Sequence, residues 1–169
     1  MFLDESGCNT DMTRRYAYSL GGSRAVDSAP LSKPKNTTIL SSIQLDGTLR
    51  YTTFSGGTTV ERFKRYLETD LLPHLNGNSV LIMDNMKSHH AKAVKNLLDS
   101  SEIRYISLPP YSPDLNPIEK LWSKVKAFFR KFKARTLDAL PNTMQCAFQT
   151  VSPSDCSGWF HSCGYSPYF

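Results

Sequence analysis

The chain has 169 residues, with 20 Lys and Arg against 15 Asp and Glu, a net charge of +5, 40% hydrophobic and 21% charged residues. These values exclude collagen-like, low-complexity and extended disordered chains and fit one ordinary globular domain. No apolar run approaches ~18 residues, so no membrane span is expected, and Met1 to Gly7 lacks the pattern of a secretory signal.

In chain order, Phe2-Leu3 and the residues around Asp4 read as the end of a strand that starts abruptly. Asp11 to Pro34 is polar and has no assignable element. Thr37 to Leu45 and Leu49 to Phe54 are β-rich runs joined by Asp46-Gly47, a strong hairpin signal. Thr58-Thr59-Val60-Glu61 reads as a capping box. It opens a helix with Val60, Phe63, Leu67, Leu71 and Leu72 on one face, ending near Pro73. Ser79 to Met83 is a continuous apolar run, suited to a buried central strand, and ends in Asp84-Asn85.

Ala91 to Asp99 is a short helix with Ala91, Val94, Leu97 and Leu98 inward. Ile103 to Leu108 is a strand closed by Pro109-Pro110. A long helix is expected from Pro117 to about Ala134, with Asn116 as N-cap. Another follows from Leu137 to Gln149. Residues 1–150 are expected to form one domain. Residues 151–169 form an aromatic, Ser/Pro-rich tail of unassigned structure. This order predicts an α/β domain with a mixed sheet, antiparallel first and parallel after. Sites in such sheets gather at strand C-termini and helix N-termini.

Cys8, Cys146, Cys156 and Cys163 form no C-x-x-C pair. The run Cys156, His161, Cys163 fits no common zinc spacing, so free thiols are expected.

Asp84 follows the apolar strand; read singly, it is a loop Asp bonded to a nearby N–H. Glu119 falls at the third position of the long helix; read singly, it is a capping-box Glu in the helix dipole. Asp4, read singly, is a solvated acid near a terminus. Taken together, the three could converge on hard cations such as Mg²⁺ or Mn²⁺, as two-metal phosphoryl transfer requires.

The net charge is local. Residues 1–84 sum to zero, and Lys120 to Arg135 holds seven basic residues (Lys120, Lys124, Lys126, Arg130, Lys131, Lys133, Arg135) and no acid. At about 100° per residue, Arg130, Lys126 and Lys133 lie within about 40° of Glu119. Leu121, Trp122, Val125, Phe128, Phe129 and Phe132 fill the opposite side. The block reads as a surface for phosphates; the plainer alternative is a solvated helix face.

Three segments resemble the catalytic domain of mariner-superfamily transposases, especially the bacterial insertion-sequence members. They are Phe2-Leu3-Asp4-Glu5-Ser6-Gly7; Leu81-Ile82-Met83-Asp84-Asn85 followed by His89; and Leu108-Pro109-Pro110-Tyr111-Ser112-Pro113-Asp114-Leu115-Asn116-Pro117-Ile118-Glu119 with Trp122. The 34 residues between Asp84 and Glu119 agree with that family's spacing. The resemblance implies a ribonuclease H-like mixed sheet flanked by helices, with its first strand truncated. It implies a metal-dependent DNA strand transferase in which Asp4, Asp84 and Glu119 hold two Mg²⁺ (or Mn²⁺) ions. One ion would activate water to cut the element's end, and the exposed 3′-OH would then attack target DNA.

By the same resemblance, Asn85 can hydrogen-bond a ligand carboxylate. His89 can order the site or touch DNA, a surface histidine being the alternative. The partners implied are transposon-end and target DNA, an upstream helix-turn-helix segment and a second copy on DNA. The setting implied is the bacterial cytoplasm, on the nucleoid. Only three residues precede Asp4 and no end-reading domain is in view. The expectation is therefore a split transposase joined upstream or a decayed fragment. The competing readings are an inactive DNA-binding or regulatory fragment and a stand-alone ribonuclease H-like nuclease.

Overall fold

The computed structural model describes residues 1–14, 16–31, 34 and 36–165. Five strands form one sheet in the order β3-β2-β1-β4-β5. They are β1 (Phe2–Asn9), β2 (Asn36–Ile43), β3 (Leu49–Ser55), β4 (Val80–Met83) and β5 (Arg104–Ser107). β1, β2 and β3 pair antiparallel, whereas β4 lies parallel to β1 and to β5. The expected mixed sheet is present.

The central strand departs from expectation. β1 does not end near Asp4: it runs eight residues to Asn9. Ser6, Gly7 and Asn9 carry no apolar pattern, so only pairing reveals them. Eight residues of β1 face β2 in register, from Phe2 opposite Ile43 to Asn9 opposite Asn36. Pairing with β4 covers only Phe2 opposite Ile82 and Leu3 opposite Met83. The two parallel strands then part.

Side-chain alternation feeds two cores. Phe2, Cys8, Ile39 and Ile43 face α3 (Ile118–Phe132), α4 (Ala139–Gln149) and α5 (Pro153–Ser162). Leu3, Leu40, Leu81 and Met83 face α1 (Val60–Tyr66) and α2 (Lys92–Ser100). α1 continues as a π-helical turn, Leu67–Leu71, and a 3₁₀ turn, Leu72–His74, where Pro73 stops it. Its N-cap is Thr59, whose hydroxyl accepts from Arg62 N at 3.3 Å, so Thr58 and Glu61 do not form the expected box.

α3 has no side-chain cap. Asn116, expected as that cap, turns its side chain elsewhere. The helix ends at Phe132, and Lys133 stands in the left-handed region with φ 49°. Lys133 therefore leaves the predicted helix line, and Phe132 is 55% exposed instead of inward.

Residues 151–165 fold onto the main core. Ser152 caps α5, accepting from Asp155 N at 3.1 Å, while Asp155 accepts from Ser152 N at 2.8 Å. Phe160 meets Phe2 edge-on at 5.3 Å, and Tyr165 meets Phe2 at 4.9 Å. The β2–β3 turn seats against this helix. Gly47 has φ +90°, and a Cβ there would lie 2.9 Å from the Pro153 backbone, so both conformation and contact require glycine. All four cysteines are free, as expected.

Asp155 also accepts from Lys124 Nζ at 2.6 Å, and these donors hold its carboxyl down at about 2. Asp155→Ala removes the reciprocal cap and this pair together. It should cost about 1–2 kcal/mol, read as a lower urea midpoint with the slope unchanged. An unchanged midpoint would show that α5 docks through its aromatic contacts alone.

Candidate active site

Asp4 is the third residue of β1 and points toward α3. It is 5% exposed. Burial of a carboxylate is tolerated only with donors, and three are present. Oδ1 accepts from Glu5 N at 2.7 Å. Oδ2 accepts from Asn116 Nδ2 and from Trp122 Nε1, each at 3.2 Å. Burial nevertheless pushes the Asp4 carboxyl up to about 7; the Glu5 N–H opposes this and the negative charges of Asp84 and Glu119 add to it.

Asp84 stands just past the C-terminal end of β4, half-buried. Its Oδ1 accepts from Met86 N at 3.2 Å and from His89 Nδ1 at 2.7 Å. Burial acts to raise its carboxyl, but the His89 hydrogen bond and charge, with the Met86 N–H, outweigh it and hold the group below its ordinary value. His89 is no surface histidine: it is 2% exposed and stacks on Phe63 at 4.1 Å. A carboxylate only accepts, so His89 donates to it through Nδ1. Asn85 lies at the cavity wall, with its amide oxygen paired to His90.

Glu119 is the second residue of α3 and is exposed. Asn116, Glu119 and Trp122 recur every three residues, so one side of this helix start serves both Asp4 and the cavity. Asp4, Asp84, Glu119, Asn85 and Asn116, with the loop 108–113, line one cavity of about 490 Å³. The three expected carboxylates are therefore brought together. Among the described residues no three Asp, Glu, His or Cys side chains close around a single point. A site for two cations would spread its ligands over more than one point and does not require that. The donors are all hard oxygens, the kind Mg²⁺ and Mn²⁺ prefer. The Asp4 carboxyl is raised first by burial and then by the negative charges of Asp84 and Glu119, and a divalent cation would offset that second part.

The basic block divides in two. Lys124 donates to Thr150 O at 2.8 Å as well as to Asp155, and Lys133 pairs with Asp27. Arg135 donates to Thr10 O and Met12 O, each at 3.2 Å. These three tie down the fold. Lys120 and Lys131 are exposed, and Lys126 and Arg130 line a cleft of about 310 Å³ with Gly7, Asn9 and Asp11. The sequence reading missed the polar ends of Asn116 and Trp122. Asn116 was placed as a cap and Trp122 in the apolar stripe, although an indole in a core usually seeks a partner for its N–H.

This sheet order, with acids on the central strand, after its parallel neighbour and at a helix start, is a ribonuclease H-like layout. The family model for DDE superfamily endonucleases matches residues 1–141, and the chain belongs to that family. It is 26% identical over 97 residues to the Tc1 transposase of Caenorhabditis elegans, covering 55% of this chain and 36% of that protein. It is 31% identical over 75 residues to the Tcb2 transposase of Caenorhabditis briggsae, covering 44% and 28%. The chain thus matches about a third of the length of these relatives.

Among solved structures, the Mos1 transposase paired-end complex with left transposon end superposes with TM-score 0.80 at 19% identity, covering 96% of this chain and 51% of that one. The Mos1 mariner paired-end complex with Mn superposes with TM-score 0.71 at 19% identity, covering 99% and 56%. The chain carries the fold of a mariner-type transposase catalytic domain.

The folded chain holds a proton on Asp4 up to about pH 7, while the unfolded chain releases it near about 4. Stability from this group is therefore complete below about pH 4 and is lost as pH rises through about 7. Asp4→Asn should remove that part of the slope, measured as the difference between variant and wild-type unfolding free energies from about pH 4 to 8 in chelator. Parallel curves would show that Asp4 titrates normally.

Proposed function

We propose that this chain cuts DNA at transposon ends and joins the resulting 3′-OH to target DNA in a divalent-metal-dependent reaction. The observation that carries this is the meeting of Asp4, Asp84 and Glu119 in one cavity, with the buried Asp4 carboxyl pushed up by burial and by the other two. Family membership gives the endonuclease class.

In this reading Asp4, Asp84 and Glu119 hold two Mg²⁺ or Mn²⁺ ions. When bound, these ions supply charge neutralisation at the attacking and leaving oxygens of an in-line displacement. The remaining steps belong to the chain's own residues. Asn116 and Trp122 fix Asp4 through Oδ2. His89 orients Asp84 through Oδ1. Asp84 Oδ2 and the Glu119 carboxylate have no partner among the described residues, which leaves them for ligands.

Lys120, Lys126, Arg130 and Lys131 meet the DNA backbone. The partners proposed are transposon-end and target DNA, an upstream helix-turn-helix segment that selects the ends, and a second copy on paired ends.

The decisive experiment uses the chain with and without its upstream segment, on supercoiled plasmid carrying the flanking repeats. Nicking should require Mg²⁺ or Mn²⁺ and stop in EDTA. Asp84→Asn and Glu119→Gln should each lower it about 10²-fold or more. No cleavage even with the upstream segment would overturn the reading.

The two classes of basic residue predict different salt behaviour. Lys126→Ala or Arg130→Ala should flatten the slope of log affinity against log salt by about one unit per lost phosphate contact. Lys124→Ala should leave that slope unchanged while lowering stability. Equal slopes for all three variants would place the DNA elsewhere.

A further inference from the structure

Among the described residues that line the cavity, Tyr111 is the one aromatic. The residue is fully exposed, and no hydrogen-bond, ring or ion partner exists for it among the described residues. Its backbone stands in the left-handed region at φ 57°. A bulky residue there is disfavoured, and such positions cluster at ligand-binding sites. Yet the residue lines the same cavity as the three carboxylates.

The loop around it is built to hold this posture. Pro109 and Pro110 precede it and a 3₁₀ turn, Pro113–Leu115, follows. Ser112 Oγ donates to Pro110 O at 3.3 Å across the residue, and Leu115 N donates to Ser112 O at 3.2 Å. Tyr165 Oη, from beyond α5, donates to Leu115 O at 2.9 Å and braces the loop from behind. The ring is thus carried on a stiff support, raised into solvent at the mouth of an acidic cavity.

An aromatic face needs a flat, apolar partner. Of the components of a nucleic acid, only a base offers one. We infer that Tyr111 is a stacking platform for the nucleobase beside the phosphate that reaches the carboxylates. This rests on the proposed action on DNA and adds the residue that seats the base. Its chemistry is sequence-tolerant, since every base has a π-face. Because the loop backbone is held by these hydrogen bonds, the cost of stacking falls mainly on the ring's own rotamers.

The test uses the full chain in Ca²⁺ with a duplex oligonucleotide bearing one unpaired 2-aminopurine at its 3′ end. Wild type and Tyr111→Trp should bind it and quench the emission. Tyr111→Ala and Tyr111→Gly should lose the quenching and bind about 5- to 150-fold more weakly, the range for loss of one base stack. Tyr111→Gly should melt no lower than wild type, because glycine accepts φ 57° without strain. A markedly less stable Tyr111→Gly would make the ring a packing element and overturn the assignment. So would Tyr111→Ala with quenching and affinity intact. If that happens while wild type still nicks DNA in a metal-dependent way, stacking alone falls. If wild type neither binds the probe nor nicks, the proposed function falls and takes this inference with it.

Discussion

The structure turns on one buried carboxylate. Asp4 sits in the central strand with almost no solvent contact, and a bare charge there would be intolerable. Its donors come from two places: the next residue of its own strand and the start of α3. Asn116 and Trp122 reach the same Oδ2 from either side of Glu119 in sequence. The hydrogen bonds that satisfy Asp4 therefore also set the rotation of α3. A one-residue slip would turn the helix by about 100°, removing the Trp122 N–H from Asp4 and Glu119 from the cavity together. Core packing and site assembly share a single set of contacts.

The sheet makes room for this arrangement by opening. β1 and β4 pair for two residues and then separate, while β1 continues along β2. Asp84 emerges just past β4, where parallel α/β sheets place their ligand crevices. The gap admits side chains from α3 on one side and the 108–113 loop on the other. His89, buried beneath Asp84 against Phe63, anchors the second acid to the opposite core. The two hydrophobic layers thus each hold one carboxylate: the α3 layer through Trp122, the α1 layer through His89.

Much of this was legible in the sequence, and the failures have physical causes. The hairpin, the strand before Asp84 and the long amphipathic helix all follow from local pattern, and their bounds agree within a few residues. Residues 5–9 of β1 failed because Glu-Ser-Gly-Cys-Asn has weak strand character. Its pairing partner, β2, lies some thirty residues away and cannot be seen in a window. α5 carried a readable signal, Ser152-Pro153-Ser154-Asp155, a cap, a proline at the first turn and an acid three residues on. Ser/Pro-rich composition obscured it. Convergence of the three acids was legible from their places at strand ends and a helix start, and from the resemblance of the three segments to the transposase family. Their hydrogen-bond partners were not, because an Asn before a helix looks like a cap and a Trp in an apolar stripe looks like core.

The charge of +5 also changes meaning. Helical periodicity treats all seven basic residues alike, but three of them are spent on the fold. Lys124 completes the α5 cap, Lys133 leaves the helix line to meet Asp27, and Arg135 holds the segment that follows β1. What remains on α3 is a sparse line of Lys120, Lys126, Arg130 and Lys131. Lys126 and Arg130 lie one turn apart, seven and eleven residues beyond Glu119, which places them about 10 and 16 Å along the axis at 1.5 Å per residue. Duplex phosphates advance about 3.4 Å per nucleotide along one strand. A strand whose reacting phosphate sat among the carboxylates would pass these two cations roughly three to five nucleotides away. Under the proposed function, the helix that positions Glu119 would also set the direction of the bound DNA, along Lys126 and Arg130.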